Sequence, residues 1–210
     1  MPLSEPAARE HIHSRTLEMQ GFRRADGLWD IEGHLVDHKT YGFDNRWRGR
    51  VEAGMPVHEM RMRLTIDEKM LVRGVEAVTD AAPFPACAEI TPAYRKLEGM
   101  RIGPGWNVQV RRMLGGVRGC THLVEMLGPM ATVAYQTLVG QRRKTADDAT
   151  PEQPRRKPPI IDTCHALASD GAVVHEEWPE FRTGDQPAAD GPAAGDQAPA
   201  GSSGEPARRR

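Results

Sequence analysis

Cysteine and histidine stand close together at two places in the sequence, in Gly119-Cys120-Thr121-His122 and in Cys164-His165. The first segment comes directly before an apolar-periodic stretch, Leu123 to Val139, which predicts a helix. Unpaired backbone N–H groups and the helix dipole make a helix start favourable for a thiolate or another anion. The pattern therefore predicts a reactive or metal-ligating thiol at Cys120, with an imidazole nearby.

Cys87 is the remaining cysteine, and it lies where a predicted strand ends and a predicted helix begins. Thiolates combined with imidazoles suit zinc, iron or an iron–sulfur cluster. We therefore predict that the three cysteines share one metal or cluster site, completed by a histidine, in an accessory protein of unknown pathway. The candidate ligands are Cys87, Cys120, Cys164, His122, His165 and His58. The spacing is not that of a zinc ribbon, because no C-x-x-C motif is present, and the sequence does not choose the metal.

Two alternatives to a metal site stay open at the level of the sequence. In the first, the protein is an enzyme whose nucleophile, Cys120, is activated by the helix N-terminus and His122, while Glu125 orients the imidazole from one turn away. In the second, it is a non-catalytic interaction module whose cysteines are simply buried, since free cysteine is among the most buried residue types. Whether the protein is an enzyme is therefore undecided.

Composition limits the kinds of partner. Lys and Arg number 28 against 29 Asp and Glu, which gives a net charge of −1 and no reason to expect nucleic acid. No run approaches the roughly 20 apolar residues that cross a bilayer, so no membrane partner is expected. Three cysteines cannot all pair with one another, and a reducing compartment would keep them as thiols. We expect a soluble, cytoplasmic protein and leave a protein partner open.

The front half of the sequence predicts strands. Alternating apolar residues favour half-buried strands over 28–39 and 58–67, and a Val-rich return over 71–79 predicts an antiparallel meander of about three strands. His58 shares the parity of the apolar residues that follow it, so it is predicted to face inward.

The back half predicts two or three helices, over 88–97, 108–114 and from Leu123 onward, with a kink at Pro129. We expect Thr91 to cap the first of them. Cys120 continues the inward stripe of the long helix, whereas His122 falls on the opposite flank. The predicted fold class is α+β, an antiparallel sheet packed against these helices, with a disordered C-terminal tail.

The chain divides by composition into four segments. Residues 9–140 hold the apolar periodicity and form the main domain, and residues 141–159 are polar and read as a linker. Residues 160–182 contain too few apolar residues for a core of their own, so we predict that they dock on the main domain and bring Cys164 with them. Residues 183–210 lack large apolar residues and are predicted to be disordered.

Four segments resemble an uncharacterised bacterial domain family of unknown function. They are RADGLWDIEGHLVDHKTYGF, AAPFPAC, GPGWNVQVRRMLGGVRGCTHLVEMLGPMATVAYQTL and IIDTCHALASDGAVVHEEWP, and the likeness covers roughly residues 9 to 182. The blocks GCTH and DTCH are its most specific parts. The resemblance implies a family identity and no established activity, substrate or cofactor.

A weaker likeness is to the iron–sulfur cluster assembly scaffold family, which has an antiparallel sheet followed by helices. Cys87 and Cys120 match two of that family's cysteines, and His58 occupies the region of its first cysteine. The resemblance implies a cluster or metal site at these positions. The scaffold family has no counterpart of Cys164, which we expect to supply the thiol that His58 replaces.

Overall fold

The computed structural model of the protein describes residues 3–146 and 157–184, with side chains described for 3–139 and 157–184. The chain divides between Ala149 and Thr150 into two compact units, and each is considered by itself. The segments predicted to be a linker and a disordered tail lie largely outside the described residues.

The first unit contains a four-stranded antiparallel sheet in the order β1-β2-β5-β6. The three predicted strands are present, and β1 is an additional one at the sheet edge. It escaped prediction because each of its faces mixes charged and apolar residues, with Arg15 and Met19 on one face and Glu18 and Phe22 on the other. The strands are β1 His13–Arg23, β2 Trp29–Lys39, β5 Pro56–Ile66 and β6 Val72–Ala81, and a small hairpin joins β3 Phe43–Asn45 to β4 Gly49–Val51.

Helices follow the sheet, as predicted, and the fold is α+β. They are α1 Ala86–Glu89, α2 Trp106–Leu114 and α3 Thr121–Ala146, with short 3-10 helices at Thr91–Leu97 and Gly116–Arg118. The single helix predicted over 88–97 is divided into α1 and a 3-10 helix that carries Pro92 near its start. Thr91 donates its hydroxyl to the Ala88 carbonyl and caps no helix, contrary to expectation. α3 passes through Pro129 and continues six residues into the predicted linker.

α3 packs against the face of the sheet that carries the odd-numbered residues of β2. Its buried residues are Leu123, Met126, Leu127, Met130, Ala134 and Leu138. Met126 was not part of the predicted stripe, whereas Ala131 and Cys120, which were, are only half-buried. Two strand glycines permit the close approach. A Cβ atom at Gly33 would lie 2.8 Å from Met126 Cε, and one at Gly21 would lie 3.0 Å from Thr137 Cβ. The absence of side chains at these two glycines therefore allows α3 to pack closely against β1 and β2.

The second unit is small. It contains a 3-10 helix at His165–Leu167, helix α4 at Ala172–Glu177 and a 3-10 helix at Pro179–Phe181. Ile161 and Val174 are buried. Docking of residues 160–182 on the main domain stays a prediction. None of the helices in the described ranges combines the length and hydropathy needed to span a membrane.

Candidate metal site

Asp37, His58 and His122 meet at one end of the sheet, beneath the first turn of α3. Asp37 lies near the end of β2 and pairs in register with His58, near the start of β5. His122 is the second residue of α3. Each position follows from local structure, because Asp37 and His58 have inward parity on adjacent strands and α3 begins over that end of the sheet.

The three side chains direct their donor atoms at one another. His58 Nδ1 lies 3.0 Å from Asp37 Oδ2, and His122 Nε2 lies 3.6 Å from the same oxygen. The two imidazole rings are 3.9 Å apart between centroids. One ligand atom from each residue lies within 4.8 Å of the others. Bonds of 2.0–2.1 Å in a tetrahedral site place ligand atoms about 3.4 Å apart, so the observed spacing suits a metal ion.

The group contains a buried charge, which is uncommon in proteins. Asp37 is 2% exposed and is the only buried charged residue in the described part of the chain. A buried carboxylate needs compensation. Arg15 provides it, donating from Nε to Oδ1 at 2.7 Å and from Nη2 to Oδ2 at 2.9 Å. The remaining Arg15 nitrogen, Nη1, donates to Glu125 at 2.6 Å.

The electrostatics favour an ionised aspartate between neutral histidines. Burial raises the pKa of Asp37, but the hydrogen bonds and charge of Arg15 outweigh it and hold that pKa below its usual value. Burial lowers the pKa of His58, and the charge of His122 adds to the effect against the attraction of Asp37. Burial and the charge of Arg15 lower the pKa of His122. At neutral pH the group therefore presents two imidazoles and one carboxylate with free electron pairs.

Cys120 lies beside this group without being part of it. Its Sγ is 3.8 Å from His122 Nδ1. Tyr94 fixes the position, since its hydroxyl accepts from the Cys120 N–H and donates to the Cys120 carbonyl, both at 2.9 Å. Cys120 and His122 approach each other, despite opposite flanks on a helical projection, because α3 begins only at Thr121.

The structure brings together two of the predicted ligands, His58 and His122. Within the described ranges, no group of three or more histidine, cysteine, aspartate or glutamate residues with ligand spacing includes a cysteine. Cys87 lies in α1, beyond β6, and β5 separates that strand from β2. Cys164 is exposed in the second unit. Instead of contacting the imidazole as expected, Glu125 pairs with Arg15. The described residues therefore hold a histidine–aspartate group and no cysteine cluster.

Sequence reasoning missed Asp37 and Arg15. Asp37 had a usable signal, because it continues the inward alternation of Trp29, Ile31 and Leu35 and an ionisable residue at a core position demands an explanation. Arg15 gave none, since its strand was not predicted.

A family model described as a protein of unknown function, DUF2889, matches residues 13–136. The chain belongs to this family. The DUF2889 match runs from the start of β1 into α3 and includes Asp37, His58 and His122, whereas the DTCH block lies outside it. No curated protein and no solved structure matches the chain. The family identity is thus confirmed, and the likeness to the iron–sulfur scaffold family is not.

Proposed function

We infer that this protein is an accessory metal-binding protein that holds one divalent cation between Asp37, His58 and His122. The observation that carries the inference is the convergence of two imidazole nitrogens on Asp37 Oδ2, at 3.0 and 3.6 Å. When a cation binds there, the single ring proton of neutral His58 lies on Nε2, which leaves an electron pair on Nδ1 for the metal. The unpaired cysteines suit the cytoplasm, where thiols stay reduced.

The donor set favours zinc or ferrous iron. Two imidazoles and one carboxylate recur in sites for both ions, and three protein ligands leave a coordination position for water or a substrate. An iron–sulfur cluster is less suitable, because such clusters are held mainly by thiolates and none belongs to this group.

The surroundings of the group also support a cation. Arg15 lies between two carboxylates, Asp37 and Glu125, so with neutral histidines the local charge is −1. The hydrogen bonds from Arg15 fix the orientation of the Asp37 carboxylate, as residues behind a metal ligand commonly do.

Zinc binding to the full chain, measured by isothermal titration calorimetry, tests the inference. We expect one ion per chain, with affinity falling on the order of 100-fold in His58→Ala, since a lost ligand costs at least as much as the 10–100-fold of a lost supporting residue. His34→Ala is the matched control, because His34 also contacts a carboxylate, Glu59, but belongs to a different cluster. Equal affinities in His58→Ala and wild type would overturn the inference.

A second candidate function, an enzyme with a Cys120 nucleophile, has one observation in its favour. His122 lies between Cys120 Sγ, at 3.8 Å from Nδ1, and Asp37 Oδ2, at 3.6 Å from Nε2. This is the order of nucleophile, base and orienting carboxylate. Without metal, iodoacetamide should alkylate Cys120 faster in the wild-type chain than in the His122→Ala variant. Equal rates, monitored by peptide mass spectrometry, would count against this function.

A further inference from the structure

We propose a second metal site, specific for cuprous ion, formed by Cys120 Sγ, Met60 Sδ and His122 Nδ1. It goes beyond the divalent site and shares only His122 with it. Cys120 Sγ lies 4.0 Å from Met60 Sδ and 3.8 Å from His122 Nδ1.

These separations match a three-coordinate ion. With bonds of about 2.3 Å to sulfur and about 2.0 Å to nitrogen, a trigonal ion sets two sulfur ligands about 4.0 Å apart and a sulfur and a nitrogen about 3.7 Å apart. Cys120 therefore already holds the spacing to both partners that such an ion requires.

The chemical character of the donors selects the ion. A thiolate and a thioether are soft ligands and favour Cu(I), whereas harder ions prefer the carboxylate of Asp37. Met60 is fully buried, so its sulfur is held away from water. The Cys120 proton leaves to solvent when the thiolate binds, and the copper stays in the cuprous state throughout.

The backbone around Cys120 is held in place. Tyr94, itself fully buried, bonds both the N–H and the carbonyl of Cys120. Gly119 permits this arrangement, because a Cβ there would clash with the Leu114 carbonyl oxygen and lie 3.1 Å from the Tyr94 hydroxyl. The backbone that carries the thiol is thus preorganised before any ion arrives.

The two sites use different residues, apart from His122. Met60 follows His58 by two positions on the inward face of β5, and Cys120 precedes His122 by two positions at the start of α3. Asp37 and His58 serve only the divalent site, whereas Met60 and Cys120 serve only the cuprous site. His122 contributes a different ring nitrogen to each, so its neutral imidazole, with one unprotonated nitrogen, serves one site at a time.

Anaerobic competition of Cu(I) between the full chain and a chromophoric cuprous chelator tests the proposal. The background carries Cys87→Ser and Cys164→Ser, so that Cys120 is the one thiol. We expect Met60→Leu, a volume-conserving change, to weaken Cu(I) binding at least tenfold. Met62→Leu, at a buried neighbour on the same strand, should have no effect.

Further variants distinguish this proposal from the divalent site. Asp37→Asn should retain Cu(I) binding while losing zinc, and Met60→Leu should retain zinc. If Met60→Leu and Met62→Leu bind Cu(I) with equal affinity, the contact between the two sulfur atoms is packing only. The proposal then fails, whatever the zinc affinity of these variants is. Circular dichroism shows whether each variant is folded. A Cys120→Ser variant that binds Cu(I) as tightly as its parent would also overturn the proposal.

Discussion

Two clusters of histidine, carboxylate and arginine lie on opposite faces of the same sheet. The covered-face cluster consists of Arg15, Asp37 and His58, beneath α3. The outer-face cluster consists of His34, Glu59 and Arg61, in which His34 and Arg61 each contact Glu59 Oε1 at 3.0 Å. The residue types and the contact distances are therefore nearly the same in the two clusters.

The clusters differ in burial and in what lies above them. Asp37 is 2% exposed, whereas Glu59 is 23% and Arg61 is 55% exposed. Over the covered-face cluster, α3 adds a second histidine, His122, whose Nε2 lies 3.6 Å from Asp37 Oδ2. Solvent-facing ion pairs contribute little to stability. The comparison shows that helix packing, more than residue type, separates a buried group of closely spaced side chains from an ordinary ion pair.

The largest predicted effect on stability follows from neutralising the central carboxylate of the covered-face cluster, and the same change in the outer-face cluster is its control. Asp37→Asn should lower the free energy of unfolding by about 2–3 kcal/mol, less than for a fully buried pair because Arg15 is 31% exposed and regains water. Glu59→Gln should cost less than about 0.5 kcal/mol. Urea denaturation of the metal-free proteins measures both, and equal losses would remove the distinction between the clusters.

The next prediction concerns a glycine on each face. Gly21→Ala should cost about 1–2 kcal/mol, because the new Cβ meets the stiff, branched Thr137 side chain of α3. Gly74→Ala should stabilise by about 0.5 kcal/mol, since its Cβ would lie 3.7 Å from Thr65, an ordinary contact, and alanine restricts the unfolded chain. Thermal unfolding midpoints should move in opposite directions, and a gain for Gly21→Ala would show that α3 is not closely packed there.

The last prediction is a pH dependence of stability that arises at the covered face and is absent at neutral pH. The pKa values of His58 and His122 are lowered from 6.5, so the unfolded chain takes up protons first as the pH falls. Their contribution to stability is therefore complete above about pH 6.5 and is lost below it, by at most about 1.4 kcal/mol per pH unit for each histidine. Urea denaturation of metal-free protein between pH 7 and pH 5 should show this slope, and it should be shallower in His58→Gln. An unchanged slope in that variant would contradict the assignment.

Much of the fold was readable from the sequence. Alternation identified β2, β5 and β6, and a helical period identified the buried stripe of α3, because burial of one face imposes a fixed spacing on apolar residues. β1 was missed because an edge strand buries too little on either face to acquire that spacing. The division of the 88–97 helix was missed as well, since helical propensity does not settle the boundaries of short helices.

The sequence by itself determined which way His58 faces and that a cysteine and a histidine lie at the start of α3, since both follow from local periodicity. Only the tertiary structure decided which of these residues meet. Strand register places His58 opposite Asp37. The close packing of α3 against Gly21 and Gly33 brings His122 next to that pair. These are contacts between residues far apart in the chain, and no local spacing encodes them. The structure therefore placed an aspartate at the centre of a group for which the sequence had suggested cysteines.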